Sequence, residues 1–369
     1  MLDCVRCNVC KQELMSAFQK LIRMNKYLSD VKCLGKGLTK RPLLVVMGNE
    51  SVDLDSAVSS ICFAYHLSNL STISHTIPES KRDRKMVVVP AINATRLELP
   101  LKTEVTHWLK KHQIDLENLV CRDEINLSED VDSFALVDHH VSPYRENVVS
   151  VLDHRPFDEI SNLNSDCFVN IQEVGSCATL VCDAIKKDVD LSRINSDYIE
   201  ALRLCYGSVV LDTINFSKEA DKVRPLDIEI GEFIESILNI EDASKVRKET
   251  FDELVAARAD VSSLDSLQIL SKDLKIISSD DGKVKVAIPG VAVFDYIEMN
   301  KAKDNVRKFA QLNNIDVVVL MGMMPVGDSI ERHLGVINIK HEALFAGVCC
   351  TISLNHTCLI ENSFRSSKR

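Results

Sequence analysis

Short apolar runs alternate with helical patterns over the first 220 residues, and this alternation constrains the fold more than any other feature. The apolar runs are residues 43–47, 86–89, 119–121, 134–137 and 148–152. The helical patterns, recognised from the spacing of apolar residues, cover residues 57–67, 104–111, 176–187 and 196–206. Strands that are apolar on both faces and alternate with helices form a parallel sheet covered by helices. The sequence therefore predicts an α/β fold with a mostly parallel sheet.

A second, smaller domain is predicted after this region. Residues 1–40 are predicted to form an N-terminal helical extension, and residues 41–220 the main α/β domain. Residues 221–231, which contain Pro225 and several charges, are the predicted linker. Beyond it, helical patterns at 233–240 and 243–258 precede β-rich runs at 284–288 and 317–320. This order predicts that residues 232–369 form a smaller α+β domain.

Charge and hydropathy exclude several classes of partner. The chain has 54 acidic and 44 basic residues and a net charge of −10, so it has no overall basic surface for nucleic acid. No apolar stretch approaches the ~20 residues that cross a bilayer. An odd number of cysteines, thirteen, many of them within apolar runs, is typical of buried free thiols in a reducing compartment. We therefore predict a cytoplasmic protein that binds neither nucleic acid nor membranes.

The N-terminus carries a separate cysteine run. Cys4, Cys7 and Cys10 have a spacing that some metal sites use, but no fourth ligand follows at the spacing of a zinc finger. The role of this run stays open.

Carboxylates and imidazoles stand at the ends of four apolar runs, which we interpret as strand ends. They are, in chain order, Asp53 with Asp55, Asp138 with His139 and His140, Asp153 with His154, and Asp212. In an open α/β sheet, ligands bind at the edge formed by the carboxyl ends of the strands. Taken singly, each residue has a structural alternative: Asp53 could cap a helix, a lone Asp could belong to a turn, and the histidines could bond backbone groups.

The number of carboxylates at one edge favours a metal site over these alternatives. Carboxylates that crowd together resist ionisation unless a cation neutralises them. Carboxylate oxygens combined with imidazole suit Mg²⁺ or Mn²⁺, with Zn²⁺ as an alternative. Two such ions about 3.5–4 Å apart can activate a water and stabilise the leaving oxygen of a phosphate ester. The sequence therefore predicts two divalent cations and phosphoryl hydrolysis.

Several ordered motifs resemble those of the DHH phosphoesterase family, and most closely its prune and exopolyphosphatase branch. Residues 48–56 (GNESVDLDS) resemble the first motif, residues 136–140 (LVDHH) the second and residues 152–156 (LDHRP) the third. Residues 174–181 and 211–215 resemble the surroundings of the fourth, and residues 93–101 are similar to animal members of the prune branch. Residues 270–275 look like the opening of the branch's second domain, DHHA2. The resemblance covers about residues 40–345.

This resemblance implies a role for each matching residue. Asp53 would bind one cation, Asp55, His154 and Asp212 would bind the other, and Asp138 would bridge both, with the nucleophilic water between the ions. Asp138, His139 and His140 would be the catalytic residues of the second motif, while Arg155 and Lys275 would contact the substrate's phosphates. The implied activity is short-chain exopolyphosphatase or cyclic-nucleotide phosphodiesterase. The implied partners are polyphosphate, pyrophosphate or a cyclic nucleotide, and nucleoside diphosphate kinase.

Three departures from the family pattern keep an alternative open. Asn49 stands where many DHH enzymes have a histidine ligand, and Arg155 stands where the founding motif has its second histidine. The DHHA2 domain usually ends with a basic Ser-Arg-Lys motif, of which residues 365–369 are at best a remnant, so we predict a divergent or truncated C-terminus. The alternative to an active hydrolase is a weakly active or inactive regulatory protein of the prune type.

Overall fold

The computed structural model describes residues 23–33, 42–70, 74–81, 86–291, 296, 301–326, 329–355 and 359–360. Of the predicted N-terminal extension, residues 23–33 are described and form a helix, α1. The cysteine run at Cys4, Cys7 and Cys10 and the basic residues at 365–369 lie outside the described residues. The chain divides into two compact units, with the boundary between Asp260 and Val261.

Six parallel strands form the sheet of the first unit. They are β1 (Leu43–Met47), β2 (Val87–Ile92), β3 (Val120–Cys121), β4 (Ser133–Val137), β5 (Val148–Asp153) and β6 (Phe168–Ile171). Their order is β3-β2-β1-β4-β5-β6, and every neighbouring pair is parallel. Every residue of β1, β2, β4 and β5 is buried, because the sheet is covered on both faces. The predicted α/β fold with a mostly parallel sheet is confirmed.

The helices of the first unit that follow α1 all contribute to the larger apolar core, on one face of the sheet. They are α2 (Leu54–Asn69), α3 (Thr103–Lys111), α4 (Cys177–Asp188), α5 (Leu191–Asp197), α6 (Ile199–Asp212), α7 (Pro225–Leu238) and α8 (Ala243–Ala259). The larger apolar core joins one face of the sheet to α2, α4 and α6. A smaller core on the opposite face includes Val45, Phe134 and Leu136. Successive side chains along a strand point to opposite faces of the sheet, so each strand contributes alternate residues to the two cores.

The boundary of the first unit differs from the predicted linker at residues 221–231. Most of that segment is the start of α7, with Pro225 at the first helical position, where its missing N–H costs nothing. Helices α7 and α8 both pack against α6. Ile230, Ile234 and Leu254, on these two helices, are buried in the larger core of the first unit. In the structure, residues 232–260, which we assigned to the second domain, therefore pack with the first unit, and the predicted domain boundary stays a prediction.

Asp212 also differs from its predicted position at a strand end. It is the last residue of α6, whose residues 208–211 are all buried between neighbouring helices. A short apolar run does not distinguish a strand buried on both faces from a helix surrounded by others. The sheet edge therefore receives carboxylates from loops after its strands and from this helix end.

The second unit contains a five-stranded mixed sheet. Its strands are β7 (Leu274–Ser278), β8 (Lys285–Pro289), β9 (Val317–Val326), β10 (Ser329–Asn338) and β11 (Leu359–Ile360), in the order β11-β10-β9-β8-β7. Its helices are α9 (Ser266–Lys272), α10 (Ala302–Leu312) and α11 (Glu342–Asn355). Val317, Val336 and Phe345 form part of its core. This smaller unit of helices and strands has the predicted α+β character.

The described residues contain no membrane-spanning helix, and seven of their cysteines are free. Over these ranges, no helix is both long enough and apolar enough to cross a bilayer. Seven described cysteines are free thiols, and five of them are buried, as expected of cysteines in apolar runs.

Candidate metal centre

The loops after β1 and β4 lie next to each other where the strand order reverses. Strands β2 and β3 lie on one side of β1, and β4, β5 and β6 lie on the other. Ligands of open α/β sheets bind in the crevice outside such a reversal. The loop after β1 leads to Asp55, the loop after β4 begins with Asp138, and β5 is followed by His154. One ligand atom from each of these three residues lies within 4.8 Å of the other two.

Asp55 is held by the N-terminus of α4. It lies in the first turn of α2 and is 3% exposed. The backbone amides of Cys177 and Ala178 donate to its two carboxylate oxygens at 2.6 and 2.8 Å. The hydroxyls of Ser176 and Ser208 donate to it at 2.8 and 3.0 Å. Because amides at a helix N-terminus favour negative charge, these donors orient the carboxylate and favour its ionised form, in opposition to its burial.

Asp138 lies in a left-handed backbone conformation, with φ of 59°, directly after β4. Its buried Oδ2 accepts hydrogen bonds from Asn49 Nδ2 at 2.7 Å and Ser56 Oγ at 2.9 Å. Its Oδ1 lies 3.1 Å from His154 Nε2 and 2.8 Å from Arg155 Nη2. Aspartate and asparagine adopt this conformation more readily than other L-residues. One oxygen therefore orients the carboxylate, and the other faces the cationic side of the site.

His154 has its ring orientation set by a backbone carbonyl. Its Nδ1 lies 3.0 Å from the carbonyl oxygen of Val174, which can only accept, so Nδ1 carries a proton. Nε2 then faces Asp138 at 3.1 Å and Asp55 at 3.9 Å. Burial lowers the pKa of His154, but the hydrogen bond with Asp138 and the charge of Asp55 outweigh it and raise that pKa to about 9. The two carboxylates thus attract positive charge to Nε2, the position that a metal ion would take.

Asp53 and Asp212, the other two predicted ligands, lie outside the group of three residues whose ligand atoms are within 4.8 Å of one another. Asp53 caps α2 by accepting from the backbone amide of Ser56 at 3.0 Å, and Asp212 accepts from Ser208 Oγ at 3.4 Å. Burial, followed by the charge of Asp55, raises the pKa of both carboxyl groups. Burial and the charge of Asp138 likewise raise the pKa of Asp55. The five predicted ligands therefore interact electrostatically, and their oxygen and imidazole donors fit Mg²⁺ or Mn²⁺.

His139 and His140 have other partners than this cluster. His139 Nδ1 bonds the carbonyl oxygen of Val137 at 2.9 Å. His140 is buried; its Nδ1 lies 2.5 Å from Asp153 Oδ2, and its Nε2 accepts from the amide of Asp158 at 2.8 Å. Both ring nitrogens of His140 are thus used within the loop after β4 and its neighbours. These contacts orient the loop, and a catalytic role for the two histidines stays a prediction.

Arg155 and Lys275 lie in different units. The Arg155 side chain is 47% exposed; its Nη2 contacts Asp138 Oδ1 at 2.8 Å, and its Nε donates to the Asp138 carbonyl oxygen at 3.1 Å. Lys275 is an exposed residue of β7 in the second unit, and its contact with substrate stays a prediction.

Sequence reasoning missed the residues that hold the ligands. Ser56, Ser176 and Ser208 all donate to Asp138 or Asp55, and none of them was assigned a role from the sequence. Asn49 uses its amide nitrogen on Asp138, while its amide oxygen accepts from the Ser51 amide at 2.9 Å. In this arrangement Asn49 orients a ligand. The serine before α4 was a usable signal, because serine is preferred at a helix N-cap.

The substitution Asp53→Asn distinguishes a helix-capping role of Asp53 from a metal-binding role. Asparagine caps a helix as well as aspartate does, so Asp53→Asn is expected to change the unfolding free energy by less than about 0.5 kcal/mol. If Asp53 binds a cation, the same change lowers divalent-metal affinity by about tenfold or more. Thermal melts and calorimetric titration with Mn²⁺ measure the two effects. Unchanged metal affinity would leave Asp53 as a cap alone.

Metal removal is expected to reverse the pH dependence of stability. The pKa of His154 is raised in the fold, and so are those of Asp53, Asp55 and Asp212. Groups with raised pKa values stabilise the fold when protonated, so the Tm of chelated protein should fall between pH 6.5 and about 9, as His154 loses its proton. With excess Mn²⁺ the Tm should rise with pH over this same range, because Mn²⁺ binds the deprotonated His154 and competes with its proton up to about pH 9. Parallel slopes with chelator and with Mn²⁺ would contradict a metal site here.

Comparison with known proteins supplies the family. A domain-family model described as the DHHA2 domain matches residues 252–367, which include residues 365–367 of the C-terminal segment that we predicted to be divergent or truncated. Exopolyphosphatase PRUNE1 of Rattus norvegicus is 32% identical over 338 residues, which are 88% of this chain and 69% of that protein. Exopolyphosphatase PRUNE1 of Homo sapiens is 31% identical over 329 residues, 86% of this chain and 68% of that protein.

A more distant structural likeness accompanies these relatives. A Methanococcus jannaschii protein, solved as a candidate family II inorganic pyrophosphatase, matches 82% of this chain and 88% of its own. Its sequence identity is 20% and the TM-score is 0.47, which is too distant to bear on function.

Proposed function

The chain belongs to the prune branch of the DHH phosphoesterases, and from that premise we propose that it is a metal-dependent hydrolase of short inorganic polyphosphates, pyrophosphate included. The observation that carries the proposal is the cluster of Asp55, Asp138 and His154, with ligand atoms within 4.8 Å of one another. The names of the PRUNE1 relatives, which are exopolyphosphatases, support the choice of a phosphoanhydride as substrate.

Five residues of the centre are proposed to bind the cations. Asp53 would hold one divalent cation, Asp55, His154 and Asp212 another, and Asp138 would contact both. Two such cations neutralise phosphate oxygens and supply an activated water for attack on phosphorus. Asp138 contributes because its Oδ2 is already oriented by Asn49 and Ser56, so its carboxylate reaches the site without reorganisation.

Arg155 is suited to the substrate's phosphates. A guanidinium cannot coordinate a cation, but its planar donors match phosphate oxygens. Its present partner is Asp138, which cations would engage instead, and the side chain is about half exposed. Arg155 would then be able to turn toward the phosphate that leaves. Lys275 is proposed as a second phosphate contact because it matches the family motif.

A regulatory protein with little turnover is the second candidate function. The observation that favours it is Asn49, whose amide nitrogen faces Asp138 at a position where many DHH enzymes have a histidine ligand, although the prune and exopolyphosphatase branch resembles this chain there. Binding of nucleoside diphosphate kinase and cleavage of cyclic nucleotides, both implied by the family resemblance, stay predictions.

Phosphate release in parallel assays tests the proposal. Tripolyphosphate, pyrophosphate and cyclic AMP are each incubated with the protein and Mg²⁺, Mn²⁺ or chelator, the cyclic nucleotide being followed by its ring-opened product. We expect turnover of at least one of the two anhydrides with a divalent cation and none with chelator. Metal binding without turnover of any substrate would support the regulatory candidate. Turnover that persists in chelator would overturn the metal-dependent mechanism.

Alanine at position 155 tests the substrate role of the arginine. One charge-assisted hydrogen bond contributes about 1.5–3 kcal/mol, so Arg155→Ala should lower kcat/KM for tripolyphosphate by roughly 10- to 100-fold. Metal affinity should not weaken, because the substitution removes a competitor for Asp138. Arg155→Lys is the matched control, since it keeps the charge but loses the planar pair of donors. Unchanged kinetics with a lower Tm would assign Arg155 to a structural ion pair.

A further inference from the structure

Asp227 is a fully buried carboxylate outside the candidate ligands. It lies in the first turn of α7 and is 0% exposed. Its Oδ2 accepts from the amides of Gly175 and Arg224, both at 2.8 Å, and its Oδ1 accepts from Thr179 Oγ1 at 2.6 Å. The Gly175 bond links α7 to the segment that leads into α4, about fifty residues earlier in the chain, and the Thr179 bond links α7 to the first turn of α4 itself.

That segment, residues 174–178, contacts two of the candidate ligands. The carbonyl oxygen of Val174 lies 3.0 Å from His154 Nδ1. Ser176, Cys177 and Ala178 donate three hydrogen bonds to Asp55 between 2.6 and 2.8 Å. Gly175, which donates to Asp227, stands between these two sets of contacts. A movement of this segment would therefore displace the supports of His154 and Asp55 together.

Gly175 has little space in which to move. A Cβ added there would lie 2.6 Å from Thr213 Cγ2 and 2.8 Å from the carbonyl oxygen of Lys222. It would also lie 3.2 Å from Asp227 Oδ2. Thr213 and Lys222 thus limit the movement of Gly175, and the hydrogen bond to Asp227 holds its backbone amide on the same side. Helix α7 anchors that carboxylate because Ile230 and Ile234, on the same helix, are buried in the core.

We propose that Asp227 is a positioning residue for the metal centre: by holding residues 174–178 it keeps His154 Nε2 and the Asp55 carboxylate aimed at one cation. The inference rests on the metal-dependent function proposed above. The proposed role involves no contact with substrate, because Asp227 is fully buried and contacts none of the candidate metal ligands. Partners that orient metal ligands typically change metal affinity by about 10- to 100-fold when they are mutated.

Asparagine is the informative replacement at this position. In Asp227→Asn the amide oxygen would keep the two backbone donors, Gly175 and Arg224, and the amide nitrogen would face Thr179 Oγ1, whose hydroxyl must then accept instead of donating. The substitution therefore removes the negative charge that strengthens the bond from Gly175, and the bond that Thr179 donates, without a change of volume. Glu235→Gln is the matched control, because Glu235 is another buried carboxylate on α7. Its donors, Tyr206 Oη at 2.7 Å and Arg247 Nε at 2.6 Å, lie outside residues 174–178.

Calorimetric titration of Mn²⁺ into the full chain, beside a thermal melt with chelator, tests the proposal. We expect Asp227→Asn to weaken Mn²⁺ binding by about 10- to 100-fold and Glu235→Gln to leave it within twofold, whatever Tm each loses. A milder change, Thr179→Val, removes one of the three bonds and should weaken Mn²⁺ binding several-fold, which keeps the test open if Asp227→Asn does not fold. Equal Mn²⁺ affinity in wild type, Asp227→Asn and Thr179→Val would overturn the positioning role alone. Wild-type protein that binds no divalent cation would overturn the proposed function itself.

Discussion

Asp138→Asn is expected to lower the rate of phosphate release by at least a hundredfold and to lower the number or the affinity of the bound cations. Asp138 is the carboxylate through which both cations would be shared, so one substitution removes negative charge from both sites. Mutating even an outer partner of a metal ligand costs about 10- to 100-fold in affinity or activity, and a shared ligand should cost more. Elemental analysis of the purified variant and a phosphate-release assay measure the two effects.

The backbone should tolerate this substitution. Position 138 has a φ of 59°, and asparagine adopts that left-handed conformation as readily as aspartate. The backbone conformation is therefore expected to be kept, but the asparagine amide nitrogen would face at least one donor in a buried site, which costs about 1–3 kcal/mol. Activity is therefore measured well below the Tm of the variant, so that lost activity can be assigned to lost charge. Asp183→Asn is the matched control, because Asp183 is a buried carboxylate on α4 that pairs with Lys187 at 2.6 Å. If Asp138→Asn kept two tightly bound cations and full turnover, the shared carboxylate would have to be another residue.

Asp55→Asn is expected to reduce both activity and stability, unlike Asp53→Asn. Asp55 accepts from two amides of α4 and from the hydroxyls of Ser176 and Ser208. An asparagine amide nitrogen would face at least one of these donors in a buried site, which costs about 1–3 kcal/mol. For a unit of this size that corresponds to a Tm lower by roughly 2–12 °C. Phosphate release should fall by a hundredfold or more, because a ligand is lost as well.

The comparison of Asp55 with Asp53 makes this prediction specific. Asp53 accepts one backbone amide at the start of α2, and asparagine can replace it there at little cost. We therefore expect both variants to lose metal affinity but only Asp55→Asn to melt early in the presence of chelator. A normal Tm for Asp55→Asn would mean that the hydrogen bonds around Asp55 do not hold its charge in solution. The measurement is a pair of thermal melts with chelator, followed by Mn²⁺ titration.

The sequence by itself predicted the elements of the first unit and the residue types of the site. Predicted strands at 43–47, 134–137 and 148–152 lie within or coincide with β1, β4 and β5. This succeeded because strand and helix patterns depend on neighbours a few positions apart, which a sequence displays directly. The ordered motifs around Asp53, Asp138 and His154 indicated the family, which the PRUNE1 relatives then confirmed.

Tertiary structure decided which groups meet. Asp212 comes from the end of α6, because a buried apolar run is the same whether helices or strands surround it. Residues 232–260 pack on α6, so the first unit extends beyond the predicted linker. The donors to Asp55 and the tie from Asp227 to Gly175 join residues between about 50 and 150 positions apart. Such contacts leave no periodic signal in the chain, because they arise only when separate helices pack together and bring their buried polar groups within bonding distance.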